Sequence, residues 1–570
     1  MSFAVPAAEQ RFLLRHIAKL PALLEEGGHD VSVHDADVIV EAAAEFANGE
    51  FAPLLRAGDL EGATHGSEGV QLPAAFRTAY QAYVENGWGT VGGAAEFGGQ
   101  ALPFPLALAV HDALGIANVG FNLCPVLTQG AIEAIEAHGD EAQKARWLPN
   151  LITGAWTGTM NLTEPQAGSD VGALTCQAMP AGDGLYKIKG QKIFISFGEH
   201  DMVENIVHLV LARLPDAPSG SRGLSLFVVP RFRLDGHGRP THANGARCVS
   251  IEHKLGLKIS PTCVMSFGEE EGCFGELLGV PGGGLRVMFT MMNNARLHIG
   301  AEGVQVAERA FQQALNYAKE RVQSPRADGS SGVKPVPIVE HPDVRRMLSR
   351  MAALTQGARA IIYYTAGLAD CRDAASIARV GVLTPLAKAY GSDVGVEVAS
   401  IGIQVHGGMG YIEETGAAQH LRDARIMPIY EGTNGIQAAD LVGRKLKNDD
   451  GAAMMALLAE IAVDAFEEPH LAQLLRAVQE TTAWLLDAAI EDRLAGSYPF
   501  LTMLSTLVAG WLMLRQRRIA STGGGEDWDE DYLASKVAIA NFYLKCVVPE
   551  AVGLRFAATS GASLLRDWRD

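Results

Sequence analysis

A single glutamate, Glu431, lies in an otherwise uncharged segment, MPIYEGTNGIQ at 427–437. A proline and Gly432 predict a turn there, and Thr433 or Asn434 is placed to cap the helix that follows. A partly desolvated carboxylate can act as a general base. A solvated loop glutamate, or one whose charge stabilises the N-terminus of the helix, explains the same local sequence. Both interpretations stay open on this segment alone.

Two further segments have residue types that can hold a ligand. The segment MNLTEPQAGSD at 160–170 is rich in small and hydroxylated residues, which leave backbone N–H groups open to an acceptor, and Gly168 permits close approach. The segment GQKIFISFG at 190–198 alternates like a β-strand and carries Phe194 and Ser196 on one face. A turn between strands and ordinary β-core explain the two segments equally well.

The elements around these segments fall into four stretches. Helical spacing of apolar residues predominates up to about residue 157, and short apolar runs between Gly, Pro and Asp replace it until about residue 289. Helical spacing then returns after three consecutive glycines, interrupted by a polar loop at 326–338. The predicted fold is therefore α+β and multidomain. Its domains are an N-terminal helical domain with an extension (1–157), a central antiparallel β-domain (158–285), a C-terminal four-helix bundle (286–446) and an additional helical domain (454–570).

Composition limits the partners and the compartment. A chain of 570 residues predicts two or more domains, and its net charge of −18 argues against nucleic acid as the main partner. The seven cysteines are scattered and form no CxxC pair, which predicts no metal site, no disulfide framework and a reducing, cytoplasmic location. No signal peptide is expected from the first residues. The apolar stretch 501–514 is too short to span a membrane and predicts a buried helix, so no membrane span is expected.

Five segments in this order resemble the acyl-CoA dehydrogenase family, over about residues 36–446: HGDEAQKARWLPNLITGAWTGTMNLTEPQAGSD, GQKIFIS, ALNYAKERVQ, IQVHGGMGY and RDARIMPIYEGTNGIQ. The resemblance implies an enzyme that oxidises an acyl-CoA thioester to a trans-2-enoyl-CoA with FAD. In the family, a glutamate in the segment matching IYEGTNG abstracts the α-proton while the β-hydride passes to flavin N5, and Glu431 has that position. Some members place the base on the helix that opens the C-terminal bundle. Ala295 fills that position here, which favours Glu431.

The resemblance also assigns residues to FAD and to the substrate. Those implied to contact the flavin or its pyrophosphate are Met160, Leu162, Thr163, Ser169, Phe194 (often Trp in the family) and Ser196 (often Thr). Those implied to hold the phosphates or the adenosine end, some of them across a dimer interface, are Arg321, Gln404, Gly407, Gly408, Thr433 and Asn434. Those implied to contact the acyl-CoA are Ser169, Asn293, Arg296 and Gly432. Asn293 stands where many members have Asp, which leaves its role open.

The length of the chain and its added domain are similar to a subgroup of large bacterial members, the 3-methylmercaptopropionyl-CoA dehydrogenases. This similarity implies a homodimer, with an electron-transfer flavoprotein as the electron acceptor. An acyl-CoA oxidase that uses oxygen is an alternative, as is a non-catalytic flavin-bound scaffold or DNA-binding relative. A nitroalkane-oxidase-like activity is less consistent with Glu431, because that branch has Asp there. The acyl chain itself stays open.

Overall fold

The computed structural model describes residues 3–525 and 528–566. The chain divides into two units, residues 41–295 and residues 1–40 with 296–570. The N-terminal 40 residues were predicted to belong to the N-terminal helical domain, but they pack with the C-terminal part of the chain. The reason is a buried contact in which Lys536 Nζ donates to Glu9 Oε1 at 2.8 Å, beside an edge-on packing of Phe12 against Trp528.

Residues 41–295 combine helices with the predicted β-domain. The helices in this unit are Leu55–Glu61, Ala74–Glu85, Phe104–His138 and Glu141–Ile152. Glu141–Ile152 begins with a capping box, in which the side chains of Asp140 and Gln143 each accept from the other's backbone N–H. This box fixes where the helix starts. The helix is followed by strand Thr157–Asn161, which carries Met160.

The main sheet has eight strands within the described residues. In spatial order they are Ala246–Ile251, Thr262–Phe267, Leu185–Ser196, Cys273–Leu278, Leu224–Pro230, Ile206–Arg213 and Thr157–Asn161, with Gln177–Gly182 paired to Leu185–Ser196 and Ile206–Arg213. Most pairs are antiparallel, as predicted, but Thr157–Asn161 runs parallel to Ile206–Arg213. Ile206–Arg213 is almost wholly buried, which matches its sequence IVHLVLA, apolar except for one histidine. Two short hairpins, Thr64–Gly66 with Gly69–Gln71 and Phe232–Leu234 with Pro240–Ala243, lie apart from this sheet.

The other unit is helical throughout its described part. Its long helices are Pro342–Asp370, Ala374–His406 and the part of Gly284–Glu320 from residue 296 onward. Glycines let two of them approach closely: a Cβ on Gly300 would lie 2.3 Å from the carbonyl oxygen of Ala387, and one on Gly391 would lie 2.3 Å from that of Gly300. Only glycine fits at such contacts. Because the helices lie so close together there, the neighbouring polar side chains Glu302 and Lys388 are buried between them.

The shorter helices complete this unit. They are Ala7–His16, Leu20–Glu26, Ala417–Ala424, Asn434–Asp440, Leu446–Asn448, Ala452–Ala465, Pro469–Asp487, Ile490–Ala495, Ser497–Ser521, Glu530–Phe542, Val548–Val552, Leu554–Ala558 and Ser563–Arg566. Helix Val33–Phe46 continues from this unit into the other. The predicted break at 326–338 is a loop of turns.

Two helices in the described chain are long and apolar enough to span a membrane, Phe104–His138 and Ser497–Ser521. The stretch 501–514, predicted to be too short for this, is part of a helix of 25 residues. The apolar windows of the two helices are 94% and 83% buried in the protein, which is typical of core helices in globular proteins. The prediction of a buried helix is confirmed.

Candidate active site

The loop that carries Glu431 connects helix Ala417–Ala424 to helix Asn434–Asp440. Glu431 has φ +54° and the following Gly432 has φ +84°. A non-glycine residue in this region is strained by roughly 1–3 kcal/mol, and such strain persists only where the surroundings enforce it. Thr433 ends the loop as the cap of the next helix, because its hydroxyl accepts from Ile436 N at 3.2 Å. Of the two caps predicted, Thr433 is therefore the one used.

Hydrogen bonds to the Glu431 carbonyl enforce this conformation. Arg296 Nε donates to that oxygen at 3.5 Å, and Gln437 Nε2 donates to it at 3.3 Å. Arg296 is buried, as is Gln437. A backbone oxygen that receives two buried donors is fixed in direction, which in turn fixes where the Glu431 side chain leaves the backbone.

Tyr430, the residue before Glu431, donates its phenol hydrogen to the buried carboxyl of Glu302. Burial raises the pKa of Glu302 to about 8, the hydrogen bond from Tyr430 opposes this, and the charge of Glu431 adds to it. Glu302 is therefore largely protonated at neutral pH. A neutral neighbour leaves room for a negative charge on Glu431.

Asn434 anchors the other end of the loop. Its Oδ1 accepts from Lys388 Nζ at 2.8 Å, and its Nδ2 donates to Ser392 Oγ at 2.9 Å and to Asp393 Oδ1 at 2.8 Å. Only 3% of the residue is exposed. The Asn434 amide thus braces the loop from inside the protein, a function that the resemblance did not indicate.

The charges around Glu431 favour a basic carboxylate. Burial raises the pKa of Glu431 above that of an ordinary glutamate, although the residue keeps some exposed surface, and the positive charges of Arg296 and Lys388 limit the rise. Burial lowers the pKa of Lys388 to about 8, and the carboxylates of Asp393 and Glu431 limit the drop. Glu431 is therefore a stronger base than a solvated glutamate.

In residues 41–295, hydrogen bonds join the two other predicted site segments, 160–170 and 190–198. Ile193 N donates to the Thr163 carbonyl at 2.9 Å, and Lys192 Nζ donates to the Leu162 carbonyl at 2.9 Å and to Glu164 Oε1 at 2.8 Å. Lys192 and Glu164 are both fully buried. Burial alone would raise the pKa of Glu164, but the Lys192 ammonium and backbone N–H donors outweigh it and lower that pKa to about 2.

Phe194 projects from this junction toward the exterior. It has φ +61°, at an irregular point of the pairing between Leu185–Ser196 and Thr262–Phe267, and 59% of it is exposed. An exposed aromatic ring held in a strained conformation is unexpected in ordinary β-core and is typical of a ligand-contacting position. Met160 and Leu162 are buried, Ser196 is half-buried, and Ser169 is exposed on the loop.

The remaining predicted residues, apart from Asn293, lie elsewhere on the helical unit. Arg321 is exposed just after helix Gly284–Glu320, and Gln404, Gly407 and Gly408 form an exposed end of helix Ala374–His406. Gly407 has φ +61°. Asn293 belongs to helix Gly284–Glu320, and its side chain lies outside the described residues. The structure brings Arg296, Gly432, Thr433 and Asn434 together around Glu431.

Sequence reasoning missed the second layer around Glu431. This layer consists of Glu302, Lys388, Asp393 and Tyr498. The signal for Glu302 and Lys388 was present, since each is the lone charge in a run of small and apolar residues, IGAEGVQV and LTPLAKAYG. A lone charge in a buried helix requires a partner and is often functional.

Models of the acyl-CoA dehydrogenase domains match most of the chain. The N-terminal domain matches residues 34–155, the middle domain 159–269, and the C-terminal domain 282–446. A further model, described as acetyl-CoA dehydrogenase C-terminal like, matches residues 452–568. The chain belongs to the acyl-CoA dehydrogenase family. It therefore belongs to a family of oxidoreductases that act on acyl-CoA thioesters.

Several characterised family members are similar over most of their length. The 3-methylmercaptopropionyl-CoA dehydrogenase of Ruegeria pomeroyi is 43% identical over 99% of both chains. The broad-specificity linear acyl-CoA dehydrogenase FadE5 of Mycobacterium tuberculosis is 34% identical over 91% of both. Among solved structures, an acyl-CoA dehydrogenase complexed with FAD from Bacillus anthracis has a TM-score of 0.75 at 22% identity and covers 94% of this chain and 90% of its own. The last comparison supports the fold, including the added C-terminal domain.

Proposed function

We propose that this acyl-CoA dehydrogenase uses FAD and that Glu431 is its base. Glu431 removes a proton from the α-carbon of the thioester, the β-hydrogen leaves with its electron pair, and a trans double bond forms between the two carbons. When bound, FAD supplies the N5 atom that accepts the β-hydrogen as hydride. The observation that carries the proposal is the Glu431 carboxyl itself, held at positive φ with a raised pKa.

The residues of the chain fit an aromatic cofactor. The exposed ring of Phe194, on a backbone at positive φ, offers a flat face for stacking, worth roughly 0.5–1.5 kcal/mol. Ser169 and Gly168 lie on an exposed loop, and a Cβ on Gly168 would meet no other atom within 4 Å. A loop with that much space suits the close approach of phosphate oxygens to backbone N–H groups.

The substrate side depends on Arg296 and Gly432. The buried guanidinium of Arg296 fixes the Glu431 carbonyl and adds positive charge near a thioester whose α-carbon is losing a proton. The loop requires glycine at position 432, because a side chain at φ +84° would be strained and its Cβ would lie 2.9 Å from Gln437 Nε2. These two features serve orientation, whereas Glu431 takes the proton.

The relatives give the proposal its substrate class. The Ruegeria pomeroyi relative is a 3-methylmercaptopropionyl-CoA dehydrogenase, which suggests a short thioether acyl group. We further propose a cytoplasmic homodimer without a membrane span, which passes its electrons to an electron-transfer flavoprotein. The free thiols of all seven cysteines agree with a reducing compartment.

Anaerobic titration tests the proposal. The purified holoenzyme is mixed with 3-methylmercaptopropionyl-CoA, butyryl-CoA or octanoyl-CoA, and bleaching of the flavin absorbance is followed. Bleaching is expected in the wild type and should be slowed by about 10³-fold or more in Glu431→Gln, which has no base. Unimpaired reduction in that variant would remove Glu431 from the mechanism, and a wild type that no thioester bleaches would favour a non-catalytic flavoprotein. Fast reoxidation in air without another acceptor would indicate an oxidase.

A further inference from the structure

A chain of hydrogen bonds runs from the added helical domain to the Glu431 loop. Tyr498, in the first turn of helix Ser497–Ser521, donates its phenol hydrogen to Asp393 Oδ2 at 2.6 Å. The other oxygen of that carboxylate, Oδ1, accepts from Asn434 Nδ2 at 2.8 Å. Asn434 lies three residues after Glu431, so two hydrogen bonds separate the added domain from the catalytic loop.

The Asp393 carboxylate accepts both of these hydrogen bonds, and leaving it without donors would be energetically costly. Burial raises the pKa of Asp393, and the bonds from Tyr498 and Asn434 and the charge of Lys388 oppose the rise. The charged groups that face it are Lys388 and Arg425. Each donor that binds the carboxylate stabilises its ionised form, and the ionised form in turn holds the Asn434 amide strongly.

The other bonds of Asn434 make its position sensitive to Asp393. Its Oδ1 already accepts from Lys388 Nζ at 2.8 Å and from Ser392 Oγ at 3.2 Å. One amide is thus shared between a cation and an anion of the same helix, Ala374–His406. If Asp393 turns or gains a proton, the amide must shift, and the start of helix Asn434–Asp440 shifts with it.

We propose that the added helical domain positions the Glu431 loop through the Tyr498 hydroxyl, which fixes Asp393 and thereby Asn434. Tyr498 is a positioning residue, and the added domain is part of the catalytic apparatus in addition to its packing. The inference rests on the proposed role of Glu431 as the base. It gives a function to the hydroxyl of Tyr498, a residue that is 40% exposed.

Tyr498→Phe tests this in the full-length holoenzyme, with Tyr532→Phe as the matched control. Tyr532 is also in the added domain and also donates to a carboxylate, Glu9 Oε2 at 2.8 Å, but that bond leads to the N-terminal helix Ala7–His16. Hydrogen–deuterium exchange is measured on the peptide that covers 427–437. We expect about three- to tenfold faster exchange there in Tyr498→Phe, the loss expected for one ordinary hydrogen bond, because Tyr498 is partly exposed to solvent. Exchange in Tyr532→Phe should stay at the wild-type rate.

Anaerobic flavin reduction in the same proteins gives the second measurement. Tyr498→Phe should reduce about three- to tenfold more slowly at saturating acyl-CoA, with an unchanged apparent dissociation constant for the substrate, because only the position of the base is disturbed. A double-mutant test asks whether Tyr498 acts through Asp393. In the Asp393→Ala background, adding Tyr498→Phe should change neither the exchange of the loop nor the reduction rate any further.

Three outcomes would overturn the inference. They are unchanged exchange in Tyr498→Phe, equal effects of Tyr498→Phe and Tyr532→Phe on the loop, and additive effects of Tyr498→Phe and Asp393→Ala. Failure of the proposed function gives a different result, since it leaves Glu431→Gln active whatever Tyr498→Phe does to the exchange of the loop.

Discussion

Arg296 Nε donates to the backbone carbonyl of Glu431 at 3.5 Å, so a buried cation lies next to the candidate base. The positive charge of Arg296 lowers the pKa of Glu431 against the larger effect of burial, which raises it. The base acts in its ionised form, so the rate is lost as pH falls through the folded-state pKa. Any change that raises that pKa further moves the loss to higher pH.

Arg296→Gln should therefore shift the acid limb of the pH–rate profile for flavin reduction to higher pH and slow reduction by roughly tenfold at acidic pH. Arg444→Gln is the matched control, because Arg444 lies nearby but is more exposed and pairs with Asp440 at 2.6 Å. Stopped-flow reduction across a pH series measures both variants. An acid limb in the same place in wild type and Arg296→Gln would contradict the electrostatic role.

Ionisation of Glu302 should give a second inflection in the pH–rate profile for flavin reduction. Its pKa is about 8, so in the wild type it ionises as pH rises past that value and places a negative charge beside Glu431. That charge strengthens the base, and the reduction rate should rise again near pH 8. Glu302→Gln, which is never ionised, should lack this second rise.

The control for this prediction is Glu308→Gln on the same helix. Glu308 pairs with the buried Arg359 at 2.9 Å, so its loss should lower stability and leave the inflection in place. A second rise that survives in Glu302→Gln would assign the ionisation to another group.

Phe194→Ala should weaken FAD binding. Loss of one stacking ring costs roughly 0.5–1.5 kcal/mol, which corresponds to about two- to twelvefold weaker retention of the cofactor. Titration of the apoprotein with FAD, followed by quenching of flavin fluorescence, gives the affinity. Phe556→Ala, at a 79% exposed phenylalanine of the added domain, should bind FAD as the wild type does. Equal affinity in all three proteins would remove Phe194 from the cofactor site.

The buried pair Lys192–Glu164 should stabilise the junction of segments 160–170 and 190–198. Lys192→Met leaves a buried carboxylate unpaired and should cost about 3–5 kcal/mol of unfolding free energy. Lys192→Met combined with Glu164→Gln should cost clearly less, because no buried charge is then left over. Urea unfolding monitored by tryptophan fluorescence measures both. Equal losses in the single and double variants would show that packing, and not charge pairing, sets the cost.

Much of the local structure follows from the sequence. The turn at Gly432 and the cap at Thr433 depend on neighbours within a few residues, and so does the break at 326–338. The order of helical and β stretches was likewise readable from the period of the apolar residues. Ordered landmarks then identified Glu431 as the candidate base.

The second layer around Glu431 required the tertiary structure. Tyr498 and Asp393 are separated by 105 residues, and Glu302 and Tyr430 by 128, so no local pattern could pair them. The same limit explains why nothing in the sequence indicated that residues 1–40 pack with the C-terminal part of the chain or that the Asn434 amide binds Asp393. Sequence singled out Glu431 as the candidate base. Only packing decided which buried charges surround it, because burial and charge proximity, and not residue type, set its pKa.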